Sequence, residues 1–515
     1  MSLAPVEQID ADIAIVGSGF SGSLAALALT QRGKRVVLLE RGRHPRFAIG
    51  ESSTPLANLL LEELADRYDL PRIRSFSKWG TWQRTHPDVA CGLKRGFTFY
   101  FHRDGEAFGD DPGHDRQLLV AASPHDEVAD THWYRPDFDH ALVREAQDAG
   151  VVYLDDARID GLRQQGNTVT LEGTREASSI RVTAGFVIDA SGPRGFLHHA
   201  LGLPEAALRW LPPTQGLYSH FEDVDRWDSP SEAPYEVNDA ALHHVFEGGW
   251  IWALRFNNGI TSAGAALTDA RARQIDAACG AAGWARLLAA LPSVRAQFAR
   301  SRARMPFIHA PRLAFRSGAV ASSNWALLPS ATGVIDPLLS TGFPLTLLGL
   351  LRLLHVLEKT TPGPARDAAL AAYARVTQAE LDITEQLVGA LYATMDQPAV
   401  FKRLTLLYFA AASYSEAARR LGRPELAPGF LLHAHPRFGP ELRACIAHPS
   451  AACIDRAIEP FDVAGFLDRS RRDWYPVRAD DLVTNASKLE ASVEEINALL
   501  ERSGFAVSGR NTSPR

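Results

Sequence analysis

With 515 residues the chain exceeds what one simple core can organise, so two or three subdomains are expected. Its 46% hydrophobic and 22% charged residues are an ordinary globular composition, and a formal charge of −6 leaves no basic footprint for nucleic acid. The four cysteines, Cys91, Cys279, Cys445 and Cys453, show no CxxC spacing and no disulfide density, which fits a reducing cytoplasm and a protein without metal.

The opening MSLAPVEQIDADIAIVG carries acids early and runs straight into a strand, so it does not read as a signal peptide. DIAIVG at 12–17 predicts a buried parallel strand. A glycine-rich turn, the helix SLAALALTQRG and a second buried strand, Arg35 to Glu40, complete a right-handed βαβ unit. A helix is expected near Leu56 to Tyr68, a strand over Gly96 to His102, and an excursion loop over 105–130, where Asp, Gly, Pro and His abound. Pro136 to Ala149 reads as a helix with Pro in its first turn and Gly150 past its end. FVIDAS at 186–191 is again a buried strand entering a Gly turn.

From 205 to 300, strand-like stretches (243–246, 250–256, 261–266) precede helices at 268–300, so a separate sheet layer is expected there. Strand signals return at 314–328, then a helix starts near Gly342; its most apolar part, 343–357, is interrupted by Arg352 and His355 and is too short to span a bilayer. Beyond 363 the pattern is almost wholly helical, ending in a loose tail, SGRNTSPR. The expected architecture is α/β with an α+β insert: a first part of the cofactor domain over 1–205, an inserted sheet over 206–300, a last part over 301–362 and a helical region over 363–515. A soluble, cytoplasmic protein is expected.

Gly17-Ser18-Gly19-Phe20-Ser21-Gly22 is a GxGxxG between strand and helix. The first glycine permits a tight turn, the second lets backbone amides approach a pyrophosphate, and the third lets helix and strand pack closely, with the helix N-terminus facing the phosphate charge. Glu40 closes the second strand 18 positions after Gly22, where a carboxylate accepts from a ribose and repels a 2′-phosphate; FAD or NAD is favoured over NADP. No second strand runs into a GxGxxG, so one dinucleotide serves the chemistry. The segments 188–192 and 327–342 resemble in kind the remaining cofactor contacts of a flavoprotein monooxygenase-type fold, and Arg135 in YRPDFDHAL resembles that fold's cofactor-contacting arginine.

Five further blocks, HPRFAIGESSTP (44–55), ACGLKRGFTFYFH (90–102), HHVFEGGWIWALRFNN (243–258), FIHAPRLAFRS (307–317) and LLPSATGVIDPLLSTGF (327–343), resemble in order those of the flavin-dependent halogenases, closest to the phenol-halogenating branch. The resemblance implies an FAD-binding three-layer ββα domain with a substrate-side sheet and a C-terminal helical region. It implies cofactor contacts at Gly17, Gly19, Phe20, Ser21, Gly22, Glu40, Arg41, Glu51, Ser52, Arg135, Asp189, Pro337, Gly342 and Phe343.

The resemblance also carries the chemistry. Reduced flavin, delivered as FADH2 from a separate flavin reductase, reacts with O2 to a C4a-hydroperoxide; chloride or bromide attacks it, and hypohalous acid travels to a catalytic lysine, here Lys94. An ammonium can polarise HO–X, and a neutral amine of lowered pKa can form a haloamine; both routes stay open. Only six of the 54 basic residues are lysines, so a lysine inside a motif stands out.

Thr341 and Gly342 of the S-T-G turn match the family's halide-holding amides, and Ser340 also reads as a helix cap. Trp250 and Trp252 match both tryptophans of the family's WxWxIP signature, and with Phe99 they are the expected substrate pocket. Two departures stand out. Ile-Pro has become Leu254-Arg255, which leaves hydroxylation as an alternative to halogenation. Leu339 stands where the tryptophan-halogenating branch has a glutamate, which favours an electron-rich phenol or pyrrole, free or carrier-tethered. Pro329-Ser330-Ala331 replaces the Gly-Asp-Ala of flavin hydroxylases. A flavin-binding protein without turnover is the third reading. His243 and His244 point to opposite faces of a strand and read as structural. Phe401, Leu407, Tyr408, Phe409 and Tyr414 are the expected lining of a cavity under the helical region.

Overall fold

A computed structural model describes residues 6–176 and 178–505. Strands β1 (Glu7–Val16) and β2 (Val36–Leu39) flank helix α1 (Phe20–Gln31) and pair in parallel, Ile13 to Val16 against Val36 to Leu39. These apolar runs are buried on both faces, which is what an unalternating Val/Ile/Leu/Ala pattern demands. The first expected strand begins five residues earlier than DIAIVG suggests, because Glu7 to Ala11 pair with a later strand although their side chains are largely exposed.

The first sheet runs, in spatial order, through Ala321–Ser322, Trp325–Leu327, β10 (Ser178–Asp189), β1, β2 and β7 (Val152–Leu154). Its core is parallel, and the ribbon of β8 (Ala157–Gln165) and β9 (Thr168–Arg175) extends β10 antiparallel. Helix α1 is buried almost all round because the sheet lies on one side and helices α3 (Arg135–Asp148) and α4 (Gly342–Lys359) on the other. Helix α2 (Pro55–Tyr68) packs beside α4, its first turn capped by Thr54, whose hydroxyl accepts from the Ala57 amide.

The second sheet is ordered Arg302–Ala303, β11 (Thr214–Glu222), β14 (Thr261–Thr268), β13 (Gly249–Arg255), β12 (Ala241–Phe246), β4 (Gly96–Phe101), β5 (Gln117–Ala121) and Trp474–Tyr475, with Ile308–Ala310 also on β11. The sheet is therefore not confined to 206–300. Parallel pairing of β4 with β12 and of Trp474–Tyr475 with β5 draws in strands from distant parts of the chain. One expectation changes here: the stretch 105–130 is not loop throughout, since β5 lies in it and pairs with β4. The region after 363 is mainly helical as expected, with one short strand, Trp474–Tyr475, among the described residues.

Alternation divides the second sheet's faces. Trp250, Trp252 and Leu254 join the main core, while Ile251 and Ala253 join a separate core under the helices of 269–297. His244 bonds His102 and Gln297 on the latter side, and His243 bonds the Thr98 carbonyl, so the doublet is structural.

A short two-stranded ribbon, β3 (Cys91–Lys94) against β6 (Asp130–Trp133), stands apart from both sheets. Over the remaining face lie α5 (Pro364–Tyr392) and α6 (Pro398–Arg420). Cys445 and Cys453 are joined as a disulfide, which corrects the reading of a chain without one. The two helices Phe438–Ala447 and Ala451–Ile458 double back and bring the Cα atoms to 5.7 Å. Among the described residues no helix is long and apolar enough to cross a membrane, and no cluster of His, Cys, Asp and Glu is placed to hold a metal. The expected tail at 508–515 lies outside the described residues.

Candidate active site

The glycine turn is built as its spacing predicts. Gly17 has φ +100°, and a Cβ there would lie 2.6 Å from the Ala190 carbonyl. A Cβ on Gly22 would lie 1.9 Å from the Gly17 oxygen, so only glycine lets α1 start this close to β1. Gly19 is the N-cap of α1 and has no side-chain cap, which leaves the first amides of the helix for an anion.

Around Gly19 stand two arginines. Arg135 is held by a bidentate pair to Asp139, 2.7 Å for each bond, donates to the carbonyls of Ile49 and Gly50, and lies 5.2 Å from the Phe20 ring centroid. Arg46 pairs with Glu40 at 2.9 Å. Glu40 Oε2 also accepts from the Ser18 amide and hydroxyl. Burial pushes its carboxyl up, but Arg46 and the amides of Ser18 and Gly42 outweigh that and hold it below the usual range. Arg46 and His44, whose ring bonds the Ser18 hydroxyl, were not picked out from HPRFAIG; a basic pair directly after the acid of β2 is the signal that pointed to them.

Other expected contacts play different parts. Arg41 is exposed on the loop after β2. Asp189 gives one carboxylate oxygen to the Ser191 amide and hydroxyl and the other to the Leu197 amide, so it shapes the turn beneath Gly17 and does not reach outward. Glu51 is buried against His220 at 2.9 Å. Ser21 faces Ser330 at 3.4 Å, which closes the cradle from the Pro329-Ser330-Ala331 side.

The start of α4 faces the same region. Phe343 packs edge-on to Phe20, centroids 4.9 Å apart, and stacks on Trp133, so the N-termini of α1 and α4 are fastened together. Ser340 adopts φ +54° and its hydroxyl does not cap the helix; its amide instead donates to the Pro337 carbonyl. Gly342 is exposed, with open space where a Cβ would point, so the first amides of α4 are free for a small anion.

Behind this turn lies Asp336, which sequence reasoning missed. Fully buried, it accepts from the Trp250 indole (3.2 Å), the Tyr392 hydroxyl (2.8 Å) and the Leu338 amide (3.0 Å), and burial pushes its carboxyl up to about 7. Trp250 is thereby tied to the S-T-G turn. Trp252 lies beside it on the same face and bonds Ser262. Phe99 is core, stacked on His243 at 4.3 Å, and does not line the cavity described next. Arg255 donates to the carbonyls of Val224 and Asp225 at the far side of the sheet, because its alternation places it opposite Trp250 and Trp252.

Lys94 ends β3 and is fully buried. Its ammonium donates to the Ser52 hydroxyl at 2.8 Å and the Ser53 carbonyl at 2.5 Å, and sits 3.7 Å from the Phe97 ring centroid. Burial pulls the Lys94 pKa down, while Asp130 opposes the fall; Asp130 itself is pushed up by burial against the pull of Lys94. On the other side of Phe97 and Thr54 lies a cavity of about 170 Å³, walled also by Pro344 of α4 and by Tyr408, Phe409 and Glu416 of α6. Of the five aromatic and aliphatic residues expected there, Tyr408 and Phe409 line it; Phe401, Leu407 and Tyr414 are packed into the core around it.

Residues 12–312, more than half the chain, match the family described as FAD dependent oxidoreductase. The chain is 32% identical over 350 residues to the tetracycline 7-halogenase of Kitasatospora aureofaciens, covering 64% of this chain and 60% of that protein. It is 30% identical over 401 residues to the monodechloroaminopyrrolnitrin halogenase PrnC of Pseudomonas fluorescens, covering 74% and 67%. The chain belongs to the flavin-dependent halogenases. Thus it spans about three fifths to two thirds of the length of these curated relatives. The chain shares its fold with the crystal structure of halogenase PltM in complex with phloroglucinol and FAD: TM-score 0.72, 24% identity, 96% of this chain and 98% of that one. Its cofactor is FAD, and the residues present fit it: a cradle that any Cβ at Gly17 or Gly22 would fill, an uncapped α1 and a buried acid ending β2.

Proposed function

We propose that the chain halogenates an electron-rich aromatic ring, phenol- or pyrrole-like, with Lys94 directing the oxidant. Bound FAD, reduced by a partner reductase, supplies with O2 the oxidising equivalent that turns chloride or bromide into hypohalous acid. Gly17, Gly19, Gly22, Glu40, Arg46 and Arg135 hold the dinucleotide, and the amides of Thr341 and Gly342 hold halide at the open end of α4. Trp250 and Trp252, buried and tied to Asp336 and Ser262, do not line the cavity themselves; in this reading they screen the cofactor from the substrate space. Lys94 hydrogen-bonds the oxygen of HO–X. The ring carbon then attacks the halogen: the C–X bond forms, the O–X bond breaks, and hydroxide leaves as water as the ring loses its proton, so HO–X and Ar–H become Ar–X and water.

The observation that carries this reading is Lys94, a fully buried amine separated from an aromatic-lined cavity by Phe97 and Thr54. A buried lysine is costly and is kept where its proton is used. Arg255, bonded to backbone on the opposite face of β13 from Trp250 and Trp252, supports halogenation over direct hydroxylation. Leu339 supports a ring needing no further activation, since it offers only its carbonyl, bonded by Tyr408.

The test supplies FAD, a flavin reductase, chloride or bromide and a panel of phenols and pyrroles, and follows products by mass. A halide-dependent product is expected, and Lys94→Ala abolishes it while flavin reoxidation continues. Normal halogenation by Lys94→Ala sinks the role of Lys94. Oxygen addition without halide dependence makes the chain a hydroxylase, and FAD binding without any product makes it a silent binding protein.

A further inference from the structure

Lys94 and Asp130 are direct partners across β3 and β6. Directly opposed residues of an antiparallel ribbon put their side chains on one face, with Cβ atoms about 4.5–5.5 Å apart. Both are fully buried. Of the three donors on the Lys94 ammonium, two go to Ser52 and Ser53. On Asp130, Oδ1 accepts from Asn58 of α2 at 2.8 Å, while Oδ2 is buried without a partner among the described residues. An uncommitted donor and an orphaned acceptor thus stand on facing side chains in a place closed to water.

No hydrogen bond or ion pair within 4.0 Å joins the two side chains, so Asp130 acts on Lys94 through its charge across the ribbon, and the groups around them do not replace that influence. His132 of β6 and His243 of β12 face Lys94, and burial lowers both, so they stay uncharged near neutrality. From α6, Glu416 and Arg420 act on Asp130 with opposite signs, and they are paired with each other at 2.8 Å. The Phe97 ring lies against the amine and carries no charge. Among the described residues Asp130 is the one anion whose charge raises the Lys94 pKa.

We propose that Asp130 is a positioning residue for Lys94: its carboxylate keeps the buried amine protonated, so that Lys94 meets the oxidant as a proton donor and not as a free amine. This rests on the role given to Lys94 above. Removing Asp130 leaves a buried cation without its counter-charge, and the cation sheds its proton at lower pH.

With only six lysines in the chain, labelling their Cε carbons with 13C gives a titration that is read without catalysis, and the Lys94 signal is the one lost in Lys94→Met. Asp130→Asn is expected to lower the Lys94 midpoint by at least one pH unit, and Asp130→Glu to keep it within a few tenths. In the loaded enzyme, product formed per flavin oxidised at pH 7–8 falls at least tenfold in Asp130→Asn and recovers as the pH is lowered. A midpoint that stays or rises, or a yield per flavin that does not move, overturns the proposal. Should Asp130→Asn fail to fold, Asn58→Ala removes the donor that favours the carboxylate; it shifts the midpoint the same way by a smaller amount, and no shift overturns the proposal. Lys94→Ala that halogenates normally defeats the proposed function whatever the titration shows. An inactive Lys94→Ala with an unmoved Asp130→Asn titration defeats only the part given to Asp130.

Discussion

At the residue scale, single atoms decide whether the site exists. The hydrogen that Gly22 presents to the Gly17 carbonyl cannot be replaced by a methyl group without moving α1 off β1. Gly22→Ala is therefore expected to weaken FAD binding at least tenfold, measured by quenching of flavin fluorescence; unaltered affinity would mean that α1 does not set the cradle. Asp336 is a second such point. Its carboxyl is held near 7 in the folded chain against an ordinary 3.8, so between those values the folded state binds the extra proton. That contribution to stability is complete below about pH 4 and is lost as pH rises through about 7. The difference in unfolding free energy between the wild type and Asp336→Asn, from urea denaturation, should shrink as pH is raised across that window. A difference that grows with pH would show an ionised Asp336.

At the element scale, the two helix starts matter most. Helices α1 and α4 are fastened through Phe20 and Phe343, and both lack side-chain caps, so their free amides converge on one region. Gly342→Asp places a carboxylate in open space at the start of α4, where the helix dipole stabilises it and it competes with an anion. The expected outcome is a rise in the KM for halide of at least tenfold with little change in FAD affinity; an unchanged halide KM would place the halide elsewhere. Strand β13 was readable because alternation assigns its faces: Trp250 and Trp252 to the main core, Arg255 to the other side. The ribbon of β3 and β6 was not readable, because four-residue strands pair through partners 36 positions apart (Lys94 with Asp130), and nothing local announces the partner.

For the whole molecule, the helices after 363 are stitched to the cofactor side by three tyrosines. Tyr373 donates to the Leu327 carbonyl, Tyr392 to Asp336 and Tyr408 to the Leu339 carbonyl. Of the three, Tyr408 also lines the cavity, so one helix both meets the cofactor turn and walls that space. Tyr408→Phe, which leaves a buried carbonyl unmet, should cost about 1–2 kcal/mol in urea unfolding. No loss of stability would mean that the bond is not formed in solution.

By itself the sequence determined the dinucleotide cradle, a short contiguous run whose residue types answer local demands: glycine where a Cβ collides and an acid at a strand end. Lys94 and the S-T-G turn stood out only through the resemblance to the flavin-dependent halogenases. Only the tertiary structure decided that Asp130 faces Lys94, that Asp336 joins Trp250 to α5, that Asp189 serves its own turn, and that Tyr408 and Phe409 line the cavity while Tyr414 does not. Those outcomes depend on strand register and helix packing between residues far apart in the chain, and burial there sets which buried charges keep their protons.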